Sequence, residues 1–150
     1  MSGVTLQGDW TKWGRALRKL AAHDFKGDHE VIGEALLADS MDAFRSATSP
    51  EGEMWPWLSE ATLAGIKKGR RRQILQRSGR LRKSITRRAT VEMAEVGTNV
   101  VYAAIHQFGG EAGRKSHRVN IPAREYLGIG DNAQAAIDDV MNRLQREVGL

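Results

Sequence analysis

Four histidines, at positions 23, 29, 106 and 117, and a scatter of carboxylates are the residues that could hold a metal or move a proton. A bound transition metal needs three or four ligands converging at short spacing, and the chain has neither an HExxH pair nor any cysteine. His106, three residues before Gly109-Gly110, reads instead as a local hydrogen-bonding residue that caps a short helix or fixes the glycine turn. The other three histidines are expected in solvent. A serine nucleophile needs a glycine two residues upstream in a strained elbow, which Ser78-Gly79 lacks, and Ser84 falls in a basic strand candidate. Phe108-Gly109-Gly110-Glu111 has neither the GxGxxG spacing nor the lysine and serine of a phosphate loop. Glu34, Asp39 and Asp42 fall on the side of a predicted helix away from its apolar residues, where they serve solubility. The chain is therefore read as a non-enzyme with no catalytic residues, no metal and no cofactor.

Charge carries more information. From Lys67 to Arg88 there are eleven basic residues and none acidic, so the rest of the chain is net acidic although the total is +5. Such a segment suits an acidic partner, either a protein surface or phosphates. Arg70, Arg71 and Arg72 sit beside Gly69 and suit a flexible arm, within a basic segment at 65–78 that can be mobile. Arg80, Arg82, Lys83, Arg87 and Arg88 lie where a strand would hold them. Sequence-specific DNA reading is disfavoured, because no tight recognition-helix turn joins the first two helices.

The elements that must position these groups follow from periodicity. Asp9 caps a first helix whose Trp10, Trp13, Leu17 and Ala21 share one side, a stripe expected to pack. Gly27 marks a break over 23–29, and a second helix over 30–47 presents Ile32, Leu36, Leu37, Met41, Phe44 and Ala47, giving an N-terminal helical hairpin. Pro50, Gly52 and Pro56 force irregular chain around Trp55 and Trp57, with Trp55 either anchoring the core or entering a partner. Ser59 caps a short helix. Strands are predicted over 81–89 and 91–96, a short helix over 102–108 with Tyr102, Ile105 and Phe108 inward, a loop tip at 113–115, and a strand over 117–121 stopped by Pro122. Asp131 and Gln134 form a capping box for a terminal amphipathic helix with Ala133, Ile137, Val140, Met141, Leu144 and Val148 on one face. The fold class is α+β: a single domain over 1–150 with helices flanking a small, mainly antiparallel sheet. No segment reaches the length of a membrane span, and no secretory signal pattern opens the chain, so no membrane partner is expected.

Four blocks then resemble a known family. Ser49-Pro50-Glu51-Gly52 with Trp55 and Leu58-Ser59 is the first, and Ile74-Leu75-Gln76-Arg77-Ser78-Gly79-Arg80-Leu81-Arg82-Lys83-Ser84-Ile85 the second. The third runs from Val96-Gly97-Thr98 through Tyr102 to His106-Gln107-Phe108-Gly109-Gly110, and the fourth is Ile121-Pro122-Ala123-Arg124-Glu125-Tyr126-Leu127-Gly128. In this order and spacing they are similar to the phage virion morphogenesis, or Mu-like tail completion, family. The family usually has phenylalanine at the position of Tyr126 and often proline at that of Glu125. The resemblance implies a structural protein of tail assembly and head-tail joining that acts through a ring-like, hexameric oligomer. Implied partners are other copies of itself, the tail tube or terminator, and neck or connector proteins. Non-specific DNA contact is also allowed, and the location is the virion tail or neck, with host cytoplasm during assembly. On this reading Arg70, Arg71, Arg72, Arg80, Arg82, Arg124 and Trp55 meet neighbours, with Arg80 and Arg124 pairing carboxylates on the scaffold or an adjacent subunit. Gly79, Gly97, Tyr102, His106, Phe108, Gly109, Gly110, Pro122, Tyr126 and Leu127 shape the fold. The alternative from another class is a small basic DNA-binding regulatory or packaging-associated module, carried by the same arginines.

Overall fold

A computed structural model describes residues 7–67 and 73–149. Arg70, Arg71 and Arg72, within the 68–72 part of the segment at 65–78 expected to be mobile, lie outside the described residues. In chain order the elements are α1 (Trp10–Ala21), α2 (Phe25–Ser46), α3 (Glu60–Ala64), α4 (Arg80–Lys83), β1 (Thr86–Ala89), β2 (Ala94–Gly97), α5 (Ala103–Phe108), β3 (Gly110–Arg114), β4 (His117–Ile121) and α6 (Asp131–Val148). The predicted α+β character holds, with N-terminal helices, small antiparallel pairs and a C-terminal helix.

α2 starts earlier than its periodicity predicts. Asp24 caps it by accepting from the Lys26 N–H at 3.1 Å. A β-carbon at position 27 would lie 2.9 Å from the Asp24 carboxylate, so Gly27 makes room for the cap and does not break the helix. α2 is the spine of the molecule. One side carries β1 and β2, and another packs along α6. The expected hairpin of α1 against α2 is replaced by a different arrangement, in which α1 lies against α6. Ala16 is the buried residue of α1, whereas Trp10, Trp13 and Leu17 are 69%, 52% and 59% exposed. The stripe is amphipathic, but only its Ala16 edge finds a partner within the chain.

The segment over 81–89 divides into a helical turn and a strand. Gly79, at φ 70°, caps α4 in the left-handed region, and the four-residue spacing of Leu81 and Ile85 brings both into the core. β1 begins only at Thr86. Its partner β2 begins at Ala94 because Thr90 Oγ1 accepts from the Glu92 and Met93 N–H groups and folds 90–93 into a turn. The pair runs from Thr86↔Gly97 to Ala89↔Ala94. Instead of joining one sheet, β3 and β4 form a second antiparallel pair, from Gly110↔Ile121 to Arg114↔His117. The predicted loop tip at 113–115 thus lies at the end of β3 and in its turn.

The core gathers Ala43 and Phe44 of α2 with Trp55, Leu81, Ile85, Val100, Ala103 and Tyr126. Phe44 and Tyr126 are each 1% exposed with ring centres 5.3 Å apart, and Trp55 meets Phe44 edge-on at 5.6 Å. Burial of one such ring contributes about 1.5–3 kcal/mol.

α6 also differs from expectation at its start. Gly130 is the N-cap and Asp131 the first helical residue, with no cap from either side chain. The cap comes from Asp39 of α2, which is 4% exposed and accepts from the N–H groups of Gly130 (2.9 Å), Asn132 (3.1 Å) and Ala133 (2.9 Å), and from Asn132 Nδ2 (2.8 Å). Asp39 is therefore a buried strut and not a solubilising residue. Of the predicted α6 stripe, Ala133 and Val140 are buried, Ile137, Leu144 and Val148 half-buried, and Met141 exposed.

Candidate functional site

Three of the four sequence blocks meet where α5 ends. Gln107, buried on α5, accepts through Oε1 from the N–H groups of Tyr126 (3.0 Å) and Leu127 (3.1 Å), and donates through Nε2 to the Leu127 carbonyl (2.9 Å). One side chain thus closes the 124–127 loop onto the helix. The Arg124 N–H donates to the His106 carbonyl at 2.7 Å, and the Tyr126 hydroxyl donates to the Ala103 carbonyl at 3.0 Å. The hydroxyl at this position is therefore satisfied. Gly109, at φ 73°, passes so close to this loop that a β-carbon would stand 2.8 Å from the Ala123 nitrogen.

The first block joins through Arg124 and Trp55. Arg124, 7% exposed, donates from Nε to the Pro56 carbonyl (2.9 Å) and from Nη2 to the Trp57 carbonyl (3.1 Å). Two main-chain carbonyls occupy its fork, in place of the carboxylate expected, and no acid pairs with it among the described residues. Trp55, 6% exposed, donates from Nε1 to the Glu125 carbonyl at 2.8 Å and anchors the core.

Beside this junction lies a cavity of about 690 Å³. Its walls include Trp57, Leu58, Ile66, Tyr102, Ile121 and Pro122, and its charged lining residues are Lys67, Arg77 and Arg124, with no acid among the described ones. His106 also lines it and stacks edge-on with Tyr102 at 5.8 Å. Burial, and then the charge of Arg124, hold the His106 pKa below its ordinary value. Its Nδ1 is buried with no hydrogen-bond partner, so the predicted side-chain cap is absent and the main chain of His106 makes the turn contact.

Other predicted residues are dispersed. Arg80 is exposed on α4, and Arg82 donates to Gln76 Oε1 at 3.3 Å, so a helical turn and not a strand carries both. Phe108 is 78% exposed and Tyr102 40%, opposite to expectation, because the short α5 turns Ala103 and Gln107 inward instead. Gly97 ends β2 and Pro122 ends β4. Leu127 is half-buried against the core. Among the histidines, only His117 is exposed as expected. His29 Nδ1 lies 2.8 Å from the Thr90 carbonyl, tying α2 to the β1–β2 turn.

His23 was also expected in solvent, yet its side chain is 14% exposed. Its Nε2 lies 2.5 Å from Asp28 Oδ2 and its Nδ1 3.1 Å from Glu147 Oε2, while Arg143 pairs with the other oxygen of Asp28. The hydrogen bond to Asp28, reinforced by the charges of Asp28 and Glu147, raises the His23 pKa against the opposing effect of burial. Sequence reasoning missed Asp28, Asp39 and Gln107. Only Gln107 carried a signal, as a polar residue within the third block.

These contacts span the blocks that resemble a family, and the model of the phage virion morphogenesis family matches residues 9–145. The chain belongs to this family. The "Putative capsid assembly protein G" of Escherichia phage Mu is 32% identical over 119 residues, covering 75% of this chain and 74% of that protein. The Mu-like prophage FluMu G protein 2 of Haemophilus influenzae is 48% identical over 63 residues, which cover 41% of this chain and 45% of that protein. No solved structure matches. As a family member the protein has a role in phage tail or virion morphogenesis. No helix among its described residues is long and apolar enough to cross a membrane.

Proposed function

We propose that this virion morphogenesis protein completes the tail near the head-tail joint by self-associating as a ring, which the tail tube or terminator and the neck proteins then engage. The observation that carries a structural role is the use of Arg124 and Gln107. These buried polar side chains satisfy main-chain groups and so hold loops at fixed angles. A ring subunit needs that rigidity, because heterologous contacts close only if each copy presents two surfaces at a constant rotation. The test is complementation of phage lacking this chain, with joined particles counted, alongside imaging of the purified protein with tails. Rings and restored joining are expected. A protein that stays monomeric and also fails to associate with purified tails would sink the proposal.

The DNA-binding alternative draws on the same arginines, of which Arg80 is exposed and Arg82 half-buried. A retardation series in salt separates the two readings. An assembly protein should bind weakly and without preference, whereas a regulator should prefer its site by about 4–10 kcal/mol.

A further inference from the structure

The loop between α2 and Trp55 is a rigid acidic knob. Ser49 N donates to the Glu53 carbonyl at 2.7 Å, Gly52 N to the Ser49 carbonyl at 2.9 Å, and Glu53 N to Ser49 Oγ at 3.1 Å. A bridge between Thr48 and Met54 closes its base. These hydrogen bonds turn Ser49 inward, where it is buried, and hold the main chain of the loop in place. Met54 is 86% exposed, Glu51 and Glu53 are exposed, and neither carboxylate forms an ion pair among the described residues. A large apolar side chain flanked by two free acids, on a loop that is already ordered, is costly to leave in water and cheap to dock.

The cavity beside Arg124 has the opposite character. It is walled by apolar and aromatic groups, its charged residues are Lys67, Arg77 and Arg124, and no described acid neutralises them. Its volume exceeds what a methionine side chain and a carboxylate need. The knob cannot fill the cavity of its own chain. Residues 55–57 join the two, and they are pinned by Trp55 in the core and by Arg124 on the Pro56 and Trp57 carbonyls.

We propose that the Glu51–Met54 knob of one copy docks into the Lys67–Arg77–Arg124 cavity of a second copy, with Met54 against the apolar wall and the two glutamates against the cationic side. The charge complementarity lies within a single chain, which favours a second copy over an unrelated acidic protein. The contact is heterologous, so a docked pair still offers one free knob and one free cavity with which to continue the assembly. It rests on the self-associating role proposed above.

The natural chain contains no cysteine, so single cysteines report the contact cleanly. Met54→Cys on one molecule and Asn120→Cys, on the exposed cavity edge, on another should form a mixed disulfide. The rate should exceed that of Met54→Cys with Val31→Cys, an exposed α2 control, by about tenfold or more, since docking raises the local concentration. Adding Glu51→Lys and Glu53→Lys to the knob molecule should abolish the advantage, as should adding Lys67→Glu and Arg77→Glu to the cavity molecule. Combining both sets should restore it, and salt should weaken it. All six positions changed for charge or as knob and edge cysteines are exposed, and thermal melts would check that each variant folds. Equal rates for the two cysteine pairs, or an advantage indifferent to the charge changes, would overturn the inference. Slow cross-linking together with lost particle joining in the cavity variants would also overturn it, by giving the cavity to another partner. Fast cross-linking with normal joining in charge-reversed phage would instead uphold the contact and count against the proposed function.

Discussion

Replacing Asp39 with alanine should destabilise the fold more than any other single change in α2 outside Phe44. The Asp39 carboxylate is the cap of α6 and accepts four hydrogen bonds, three from main-chain N–H groups. Asn132 is exposed and can turn to water, but Gly130 is buried and Ala133 is 0% exposed. Two donors would then lose their partner without access to solvent, at about 1–3 kcal/mol each, so the expected loss is about 2–6 kcal/mol. Removing negative charge from the helix N-terminus adds about 0.3–1 kcal/mol. The adjacent Asp42 is the internal control. It reaches only Asn132 Nδ2 at 3.2 Å and pairs with exposed Arg45, so Asp42→Ala should cost below about 1 kcal/mol. Urea melts followed by circular dichroism would give both values, and amide exchange at Gly130 and Ala133 would localise the effect. An Asp39→Ala melt within about 0.5 kcal/mol of the parent, a margin typical of neutral surface changes, would refute the capping argument.

Gln107→Ala should cost about 2–4 kcal/mol, because it strips the partners from two loop N–H groups and one carbonyl, and urea melts would read it. Tyr126→Phe, which keeps the ring and removes only the bond to the Ala103 carbonyl, should cost about 1–2 kcal/mol by the same measurement. His23 has a folded pKa above its ordinary 6.5, through its hydrogen bond to Asp28 and the charges of Asp28 and Glu147, so its stabilisation is complete below pH 6.5 and is lost as pH rises through the folded pKa. The gap in melting temperature between the parent and His23→Gln should therefore be widest below pH 6.5 and narrow above it; a gap that widened with pH would contradict this. Neutralising Arg70, Arg71 and Arg72 should leave melts within about 0.5 kcal/mol of the parent while weakening joining to tails at low salt, as counted in complemented particles.

What could be read from the sequence was mostly local. α6 was legible because Ala133, Ile137, Val140, Leu144 and Val148 repeat at helical spacing, and α5 because two glycines close it. Its cap was not, since Asp39 lies 91 residues from Gly130 and periodicity says nothing about what faces a helix end. The same applies to Asp28, whose partners His23 and Arg143 come from two other parts of the chain. Leu81 to Ala89 reads as one strand on its length and its Ile85 and Thr86, whereas the four-residue spacing of Leu81 and Ile85 decides its beginning. At the junction, the family blocks located Arg124 and Tyr126 but not what they hold. An arginine expected to meet a carboxylate binds two main-chain carbonyls, a choice that only the path of 55–57 determines.

The placement of these buried polar groups has a physical logic. Asp39, Asp28, Gln107 and Arg124 each join segments distant in sequence, and each would be costly to leave unpaired. Apolar packing tolerates small slides, whereas a carboxylate on a helix end or a guanidinium on two carbonyls permits one arrangement. Asp39 and Asp28 tie α2 to α6, Gln107 ties α5 to the 126–127 loop, and Arg124 holds the 55–57 segment that joins the knob at 51–54 to the cavity. The α1 stripe stands outside this frame, docked by Ala16 and by the His23–Glu147 and Lys19–Glu147 contacts. It is the element whose position can change without disturbing the junction. The His23 links to Asp28 and Glu147 weaken as pH rises through the folded pKa, so amide exchange in α1 should quicken with pH while the Gln107 and Arg124 contacts at the junction hold.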